Sequence, residues 1–329
     1  MSKRIAINGF GRIGRLTLRN LLQKENIEVV AVNDLTDNTT LAHLFKFDSS
    51  QGKFDGTVTA DDEYLVINGK KIRALSERDP AKLPWKELDV DVVLECTGFF
   101  LTREKASLHF EGGAKRVVLS APAKDADIPT IVLGANEGTY ESSQAIISNA
   151  SCTTNCLSPM VKILEDNFGV VNGFMTTIHA YTANQNIQDG PHKDLRRARA
   201  CAVNMIPTTT GAATALGRVL PNSKGKISAA AIRVPIITGS ITELTVNLAK
   251  EASIEEINAA FKAQAEGAMK GILEYSTDPL VSADIVGNSH SCIFDSGKTD
   301  ANGKTVRIMG WYDNEAGYSA RMADLADMV

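Results

Sequence analysis

The turn Gly9-Phe-Gly-Arg-Ile-Gly14 constrains the fold of this chain more than any other feature, because it lies between an apolar run, Arg4-Ile-Ala-Ile-Asn8, and a helical pattern reaching about Lys24. Gly9 permits a tight turn, Gly11 lets a pyrophosphate approach the backbone, and Gly14 lets helix and strand pack closely, while the helix start offers N–H donors to phosphate. Such a motif is weak evidence alone. Here a second strand, Ile27-Glu-Val-Val-Ala-Val-Asn33, follows and ends in Asp34, where a carboxylate can take ribose hydroxyls. That carboxylate repels a ribose 2′-phosphate and no cation compensates in Leu35-Thr-Asp-Asn38, so the expected cofactor is NAD rather than NADP.

Buried-strand patterns resume at Val90-Asp-Val-Val-Leu-Glu95, Arg116-Val-Val-Leu119 and Thr130-Ile-Val-Leu133, alternating with helical stretches such as Thr102 to Phe110. This alternation predicts a doubly wound parallel sheet. Ligands bind at the carboxyl ends of such strands, which makes Thr97, Gly98, Ser120 and Ala121 candidates for the cofactor crevice, against the plain alternative of loop chemistry. Tyr64-Leu-Val-Ile67 and Lys71-Ile-Arg73 bracket Asn68-Gly69 and read as an inserted hairpin.

Asn149-Ala-Ser-Cys-Thr-Thr-Asn-Cys156 carries the chemistry. Cys152 stands where the strand Ala145-Ile-Ile-Ser148 meets a helical pattern, Leu157 to Phe168. The N–H groups and dipole of a helix start favour thiolate, so the expectation is a lowered pKa for Cys152. Ser151, Thr153 and Thr154 add hydroxyls for an anion. A cysteine taken alone is more often a small buried hydrophobe, and Cys152 with Cys156 lacks a second ligand pair for a metal, so none is expected.

Beyond this helix the pattern changes to long β-rich runs, Val170 to Thr182, Lys226 to Val234 and Ile241 to Ala249, which predict an α+β domain with a mainly antiparallel sheet. The expected division is residues 1–151, completed by a C-terminal helix 315–329, as the Rossmann domain, and 152–314 as the catalytic domain. The polar stretch Ala183 to Pro207 is too long for an idle connection, and its Lys193-Asp-Leu-Arg-Arg-Ala-Arg199 is either a solvated or intersubunit face or an anion site. Ser253 and Glu256 have capping-box spacing.

With 35 basic and 39 acidic residues the chain has no overall basic footprint for nucleic acid. Five cysteines form no disulfide framework, and no apolar run approaches membrane-spanning length, which together suggest a cytoplasmic protein. A reactive thiol needs a base, and His179 is the best placed of five histidines; His43, His109, His192 and His290 carry no partner signal.

Four motifs in order then resemble phosphorylating glyceraldehyde-3-phosphate dehydrogenases over the whole length: Ile7 to Arg15, Ser148 to Cys156, Arg233-Val-Pro235 and Trp311 to Tyr318. The resemblance implies Cys152 as nucleophile and His179 as its base. It implies that Thr182, Arg197 and Arg233 hold the substrate phosphate, and that Ser151, Thr153, Thr210 and Gly211 take inorganic phosphate. Gly9, Phe10, Gly11, Arg12, Ile13, Asp34, Arg78, Thr97, Gly98, Ser120, Asn184 and Asn314 fall to the NAD site, and the assembly implied is a homotetramer. Departures are few: Ile236 to Ser240 replaces a usual T-P-N-V-S, and Asn184 and Ala316 replace commoner residues, none of them a catalytic group. Erythrose-4-phosphate dehydrogenases share the Cys/His chemistry and are the nearest alternative. A dinucleotide- or RNA-binding protein whose thiol senses oxidation is an alternative of another class.

Overall fold

The computed structural model describes residues 2–329, which divide into two compact units: 2–131 with Gly138–Ala150 and Ser319–Val329, and Val132–Glu137 with Ser151–Tyr318.

In the first unit β1 (Lys3–Asn8), α1 (Arg12–Leu21) and β2 (Ile27–Asn33) form the βαβ turn, followed by α2 (Asn38–Lys46) and the short strands β3 (Val58–Ala60), β4 (Tyr64–Ile67) and β5 (Lys70–Leu75). Then come β6 (Val92–Glu95), α3 (Arg103–Glu111), β7 (Arg116–Leu119) and β8 (Ile146–Ser148). The sheet order is β3-β4-β5-β2-β1-β6-β7-β8. It is parallel from β5 to β8, with β3 and β4 added antiparallel through the expected hairpin, whose Asn68 and Gly69 have φ of 50° and 79° as a primed turn requires. Gly14 is needed because a Cβ there would lie 2.2 Å from the Gly9 carbonyl oxygen. Met322 and Leu325 of the C-terminal helix join Ile5, Ile7, Leu18 and Val32 in the core, each large side chain contributing about 1.5–3 kcal/mol.

The run Thr130-Ile-Val-Leu133 makes a single bridge, Thr130 to Ser148, instead of the expected strand. The Val132 carbonyl accepts from the Ala135 and Asn136 amides, which closes a turn where a ladder would have continued.

The second unit contains α4 (Cys152–Phe168), β9 (Val170–Ala180), β10 (Ile206–Thr208), α5 (Ala212–Val219), β11 (Ile227–Val234) and β12 (Ser240–Leu248). It continues with α6 (Ile254–Glu266), β13 (Leu273–Ser276), β14 (Cys292–Asp295), β15 (Asp300–Asn302), β16 (Thr305–Tyr312) and the start of α7 (Ala316–Met328). Its sheet runs β10-β11-β9-β12-β16-β14-β13, with β15 beside β16. The pairing is mostly antiparallel, but β11 with β9 and β13 with β14 are parallel. One face of the long strands packs with α4 and α6 through Leu157, Met160, Leu244, Phe261, Phe294 and Ile308. The capping box is present, Ser253 and Glu256 each bonding the other's backbone N–H.

Candidate active site

A cleft of about 440 Å³ opens over the carboxyl ends of β1, β2 and β6 in the first unit. Gly9, Gly11, Asp34, Arg78 and Thr97 line it as expected for a dinucleotide site, joined by Asn8, Asn33, Leu35, Glu77, Cys96, Phe99 and Phe100. Two observations fit a dinucleotide. Gly11 caps α1 without any side-chain bond, and a Cβ at Gly11 would meet nothing within 4 Å, so the first-turn donors and the space before them suit a phosphate. Asp34 is held by the Phe10 amide at 2.8 Å and the Thr36 amide at 3.0 Å, which orients its carboxylate at the end of β2.

The other sequence candidates sit around this cleft in different ways. The Phe10 ring is buried and stacks on Phe45 at 6.0 Å, leaving only its backbone near Asp34. Arg12 at the start of α1 pairs with Asp48 at 2.5 Å, and Ile13 follows it in the first turn. Gly98, with φ 75°, shapes the turn between Thr97 and Phe99. Ser120 hydrogen-bonds the Cys96 thiol, which burial pushes up to about 12.

In the second unit, Cys152 is the first residue of α4, and Ser151 is its N-cap, accepting from the Thr154 amide at 3.1 Å. The chain reaches this cap through Ala150, whose left-handed φ of 56° costs an alanine about 1–2 kcal/mol. Cys152 Sγ lies 3.4 Å from His179 Nε2. His179 is the next-to-last residue of β9, before Ala180, whose carbonyl oxygen is 2.7 Å from Nδ1. In the tautomer with its proton on Nδ1 the ring donates to that carbonyl and turns its Nε2 lone pair to the sulfur. Arg233, opposite His179 in the β11–β9 register, donates to the same carbonyl at 3.0 Å, and its Nη1 is 2.8 Å from Nδ1.

Burial dominates the protonation of this pair. It pushes the Cys152 thiol up, while the Arg233 charge, the Thr153 hydroxyl and the first backbone donors of α4 pull it down. The net direction is upward, so the lowered pKa expected from the helix start alone is overturned: the helix contribution is present and desolvation outweighs it. Burial, then the Arg233 charge, likewise lowers His179 to about 3. Burial thus favours the uncharged form of each.

Arg233 lies against this pair, and Arg197 lies near Arg233. Burial lowers the pKa of Arg233, and the nearby Arg197 charge adds to the effect. The Arg233 Nε is buried with no hydrogen-bond partner. Arg197 is held by the Thr208 hydroxyl at 2.9 Å and by Asn184 Oδ1 at 2.8 Å. Asn184 thus stands beside Arg197 of its own unit. Thr182, just past β9, bonds through its amide to Gln185. Thr210 and Gly211 form the start of α5, whose Ala212 and Leu216 share a core with Cys156 and Leu157 of α4. The Thr153 hydroxyl bonds Tyr312 Oη at 2.9 Å, and Thr177 bonds the same oxygen at 2.7 Å. Asn314 Oδ1 accepts from the Ser240 hydroxyl at 2.9 Å and the Gly239 amide at 3.2 Å, which leaves its NH₂ pointing away from them. Tyr312, edge-on to the His179 ring at 5.9 Å, was not among the sequence candidates, although its place in the Trp311 to Tyr318 motif signalled it.

Comparison with known proteins agrees with this division of labour. Residues 3–103 match the family model described as glyceraldehyde 3-phosphate dehydrogenase, NAD binding domain, and residues 151–314 match its C-terminal domain. A glyceraldehyde-3-phosphate dehydrogenase of Mycobacterium avium is 58% identical over 336 residues, covering 100% of this chain and 99% of the relative. That of Mycobacterium tuberculosis is 57% identical with the same coverage. Glyceraldehyde-3-phosphate dehydrogenase 2 of Streptomyces avermitilis is 55% identical over 332 residues, again covering 100% and 99%. An end-to-end match of this kind, on a chain with the Cys152–His179 pair in one unit and the glycine turn in the other, leaves one assignment: the chain belongs to the glyceraldehyde 3-phosphate dehydrogenase family.

Proposed function

We propose that the chain oxidises D-glyceraldehyde 3-phosphate with NAD and inorganic phosphate to 1,3-bisphosphoglycerate. The observation that carries this reading is Cys152 Sγ 3.4 Å from His179 Nε2, with the unpartnered Arg233 Nε beside them. Cys152 adds through sulfur to the aldehyde carbon, and its thiol proton passes to the new oxygen, giving a thiohemiacetal. His179 Nε2 then takes that hydroxyl proton as the carbon is oxidised to a thioester. When bound by Gly9, Gly11, Asp34 and their neighbours, NAD supplies the hydride acceptor. An oxygen of inorganic phosphate attacks the acyl carbon, the C–S bond breaks, and the acyl phosphate leaves as Cys152 regains a proton.

Arg233, Arg197 and Thr182 anchor the phosphate of the substrate in this reading, and Ser151, Thr153, Thr210 and Gly211 hold the attacking phosphate. Arg12, Ile13, Phe10, Arg78, Thr97, Gly98, Ser120, Asn184 and Asn314 complete the cofactor site. The chain works as a cytoplasmic homotetramer. Supporting this are large apolar side chains exposed on the segment between β9 and β10, Ile187 at 77%, Leu195 at 81%, Val203 at 77% and Met205 at 75%, which suit a subunit contact. All five cysteines are free, and no helix among the described residues is long and apolar enough to cross a membrane.

Initial rates with glyceraldehyde 3-phosphate and with erythrose 4-phosphate, each with NAD or NADP and with or without phosphate, test the proposal. Turnover indifferent to phosphate, or a higher kcat/KM for erythrose 4-phosphate, replaces it with the erythrose-4-phosphate dehydrogenase reading. Sedimentation velocity tests the tetramer.

A further inference from the structure

Beneath the cleft of the first unit, a chain of buried polar side chains crosses the last residues of three neighbouring strands: Asn33 of β2, Asn8 of β1 and Glu95 of β6. It continues into α3 at His109, and both Glu95 and His109 are 0% exposed.

Elementary chemistry fixes every role along it. The Trp85 indole N–H can only donate, and it donates to His109 Nδ1 at 3.1 Å. The neutral ring therefore carries its proton on Nε2, which donates to Glu95 Oε2 at 3.1 Å. The same oxygen accepts from Asn8 Nδ2 at 2.6 Å. Glu95 Oε1 accepts from the Thr97 amide at 2.8 Å and from the Thr97 hydroxyl. Asn8 Oδ1 accepts from Asn33 Nδ2 at 2.7 Å, and Asn33 Oδ1 accepts from the Glu77 amide at 2.9 Å. Glu95 thus gathers four donors, a load suited to an acceptor-only carboxylate.

A buried carboxylate is expensive to desolvate, and a pair such as this is weak evidence for stability. Its placement suggests a different use. Glu77 and Arg78 line one part of the cleft, Thr97 and Phe99 another, and the Phe99 amide itself donates to the Thr97 hydroxyl at 3.1 Å. The polar chain ties these two parts together from below. We propose that Glu95 and His109 are positioning residues for the dinucleotide: His109, its tautomer locked by Trp85, orients the Glu95 carboxylate, and Glu95 fixes the spacing of the two cleft walls. This rests on the reading of the cleft as the NAD site.

The test measures the NAD dissociation constant by titration calorimetry on the full chain, alongside steady-state kinetics and the thermal midpoint. Glu95→Gln puts an NH₂ against donors whichever way it is turned, toward Asn8 and His109 or toward Thr97. NAD binding should weaken about tenfold or more, the KM for NAD should follow, and kcat at saturating NAD and the KM for the aldehyde should stay within about twofold. His109→Phe, which removes the donor and keeps a ring, should act in the same direction and carries the test if Glu95→Gln does not fold. His109→Gln offers an amide N–H to Glu95 and should restore near wild-type affinity, which a loss of general stability would not do. Unchanged NAD affinity in Glu95→Gln or His109→Phe overturns the proposal, as does an affinity loss that His109→Gln shares. A wild-type chain that binds no NAD overturns the cofactor reading instead.

Discussion

Arg233 and His179 occupy opposed positions on adjacent parallel strands, with Arg233 Nη1 2.8 Å from His179 Nδ1 and both side chains directed at the Ala180 carbonyl. One guanidinium therefore acts on both members of the reactive pair: its charge pulls the Cys152 thiol down against burial, and it pulls the His179 imidazole down along with burial. An anion arriving at Arg233 screens that charge and makes His179 a stronger base, which couples substrate binding to proton removal.

Arg233→Leu should accordingly move the pH dependence of Cys152 alkylation to higher pH, because the thiolate loses a neighbouring positive charge while the burial that raises the thiol remains. The rate of iodoacetamide inactivation against pH, in the absence of substrate, gives the midpoint. A shift to lower pH contradicts the assigned role of this charge.

Cys152 should still label first among the five cysteines. Cys156, Cys201 and Cys292 are buried, and the Cys96 thiol, pushed up to about 12, supplies almost no thiolate at neutral pH. Brief iodoacetamide treatment followed by mass spectrometry should find modification at Cys152 ahead of the others. Equal labelling of all five in the folded protein removes the basis for a privileged thiol.

Asp34→Ala should raise the KM for NAD and narrow the gap to NADP, by roughly tenfold in the ratio of kcat/KM values. The held orientation of this carboxylate, with two backbone donors on its oxygens, means the effect comes from the lost contact and lost repulsion together. An unchanged ratio counts against Asp34 as the selector.

Local pattern made much of this molecule readable in advance, and distant pairing hid the rest. Gly9, Gly14 and the alternation of strand and helix announce the first unit because tight turns and periodicity are short-range properties. The helix start at Cys152 was readable for the same reason, but its desolvation was not, since burial depends on Arg233, Tyr312 and strands far along the chain. His109 gave no partner signal because Trp85 and Glu95 lie 24 and 14 residues away in a different register of the fold. Asn184, assigned to the cofactor by motif, also accepts from Arg197, a contact that only the folded loop creates.

Thr210 separates the second half of the proposed reaction from the first. Its hydroxyl accepts from the Ala212 amide at 3.2 Å at the start of α5, whereas Cys152 and His179 bond each other. Removing it should therefore leave thioester formation intact and weaken the hold on attacking phosphate, where positioning supplies much of the catalysis. Thr210→Ala is expected to raise the KM for phosphate by about tenfold while the pre-steady-state burst of NADH keeps its amplitude and rate. Because the same hydroxyl holds the first amide of α5, its loss also costs about 1 kcal/mol of stability, and Thr210→Ser, which keeps the hydroxyl, should restore both stability and the KM for phosphate. Arg233→Leu should do the reverse, slowing the burst itself. A burst abolished in Thr210→Ala would place this residue in acylation and take the inorganic-phosphate role away from the start of α5.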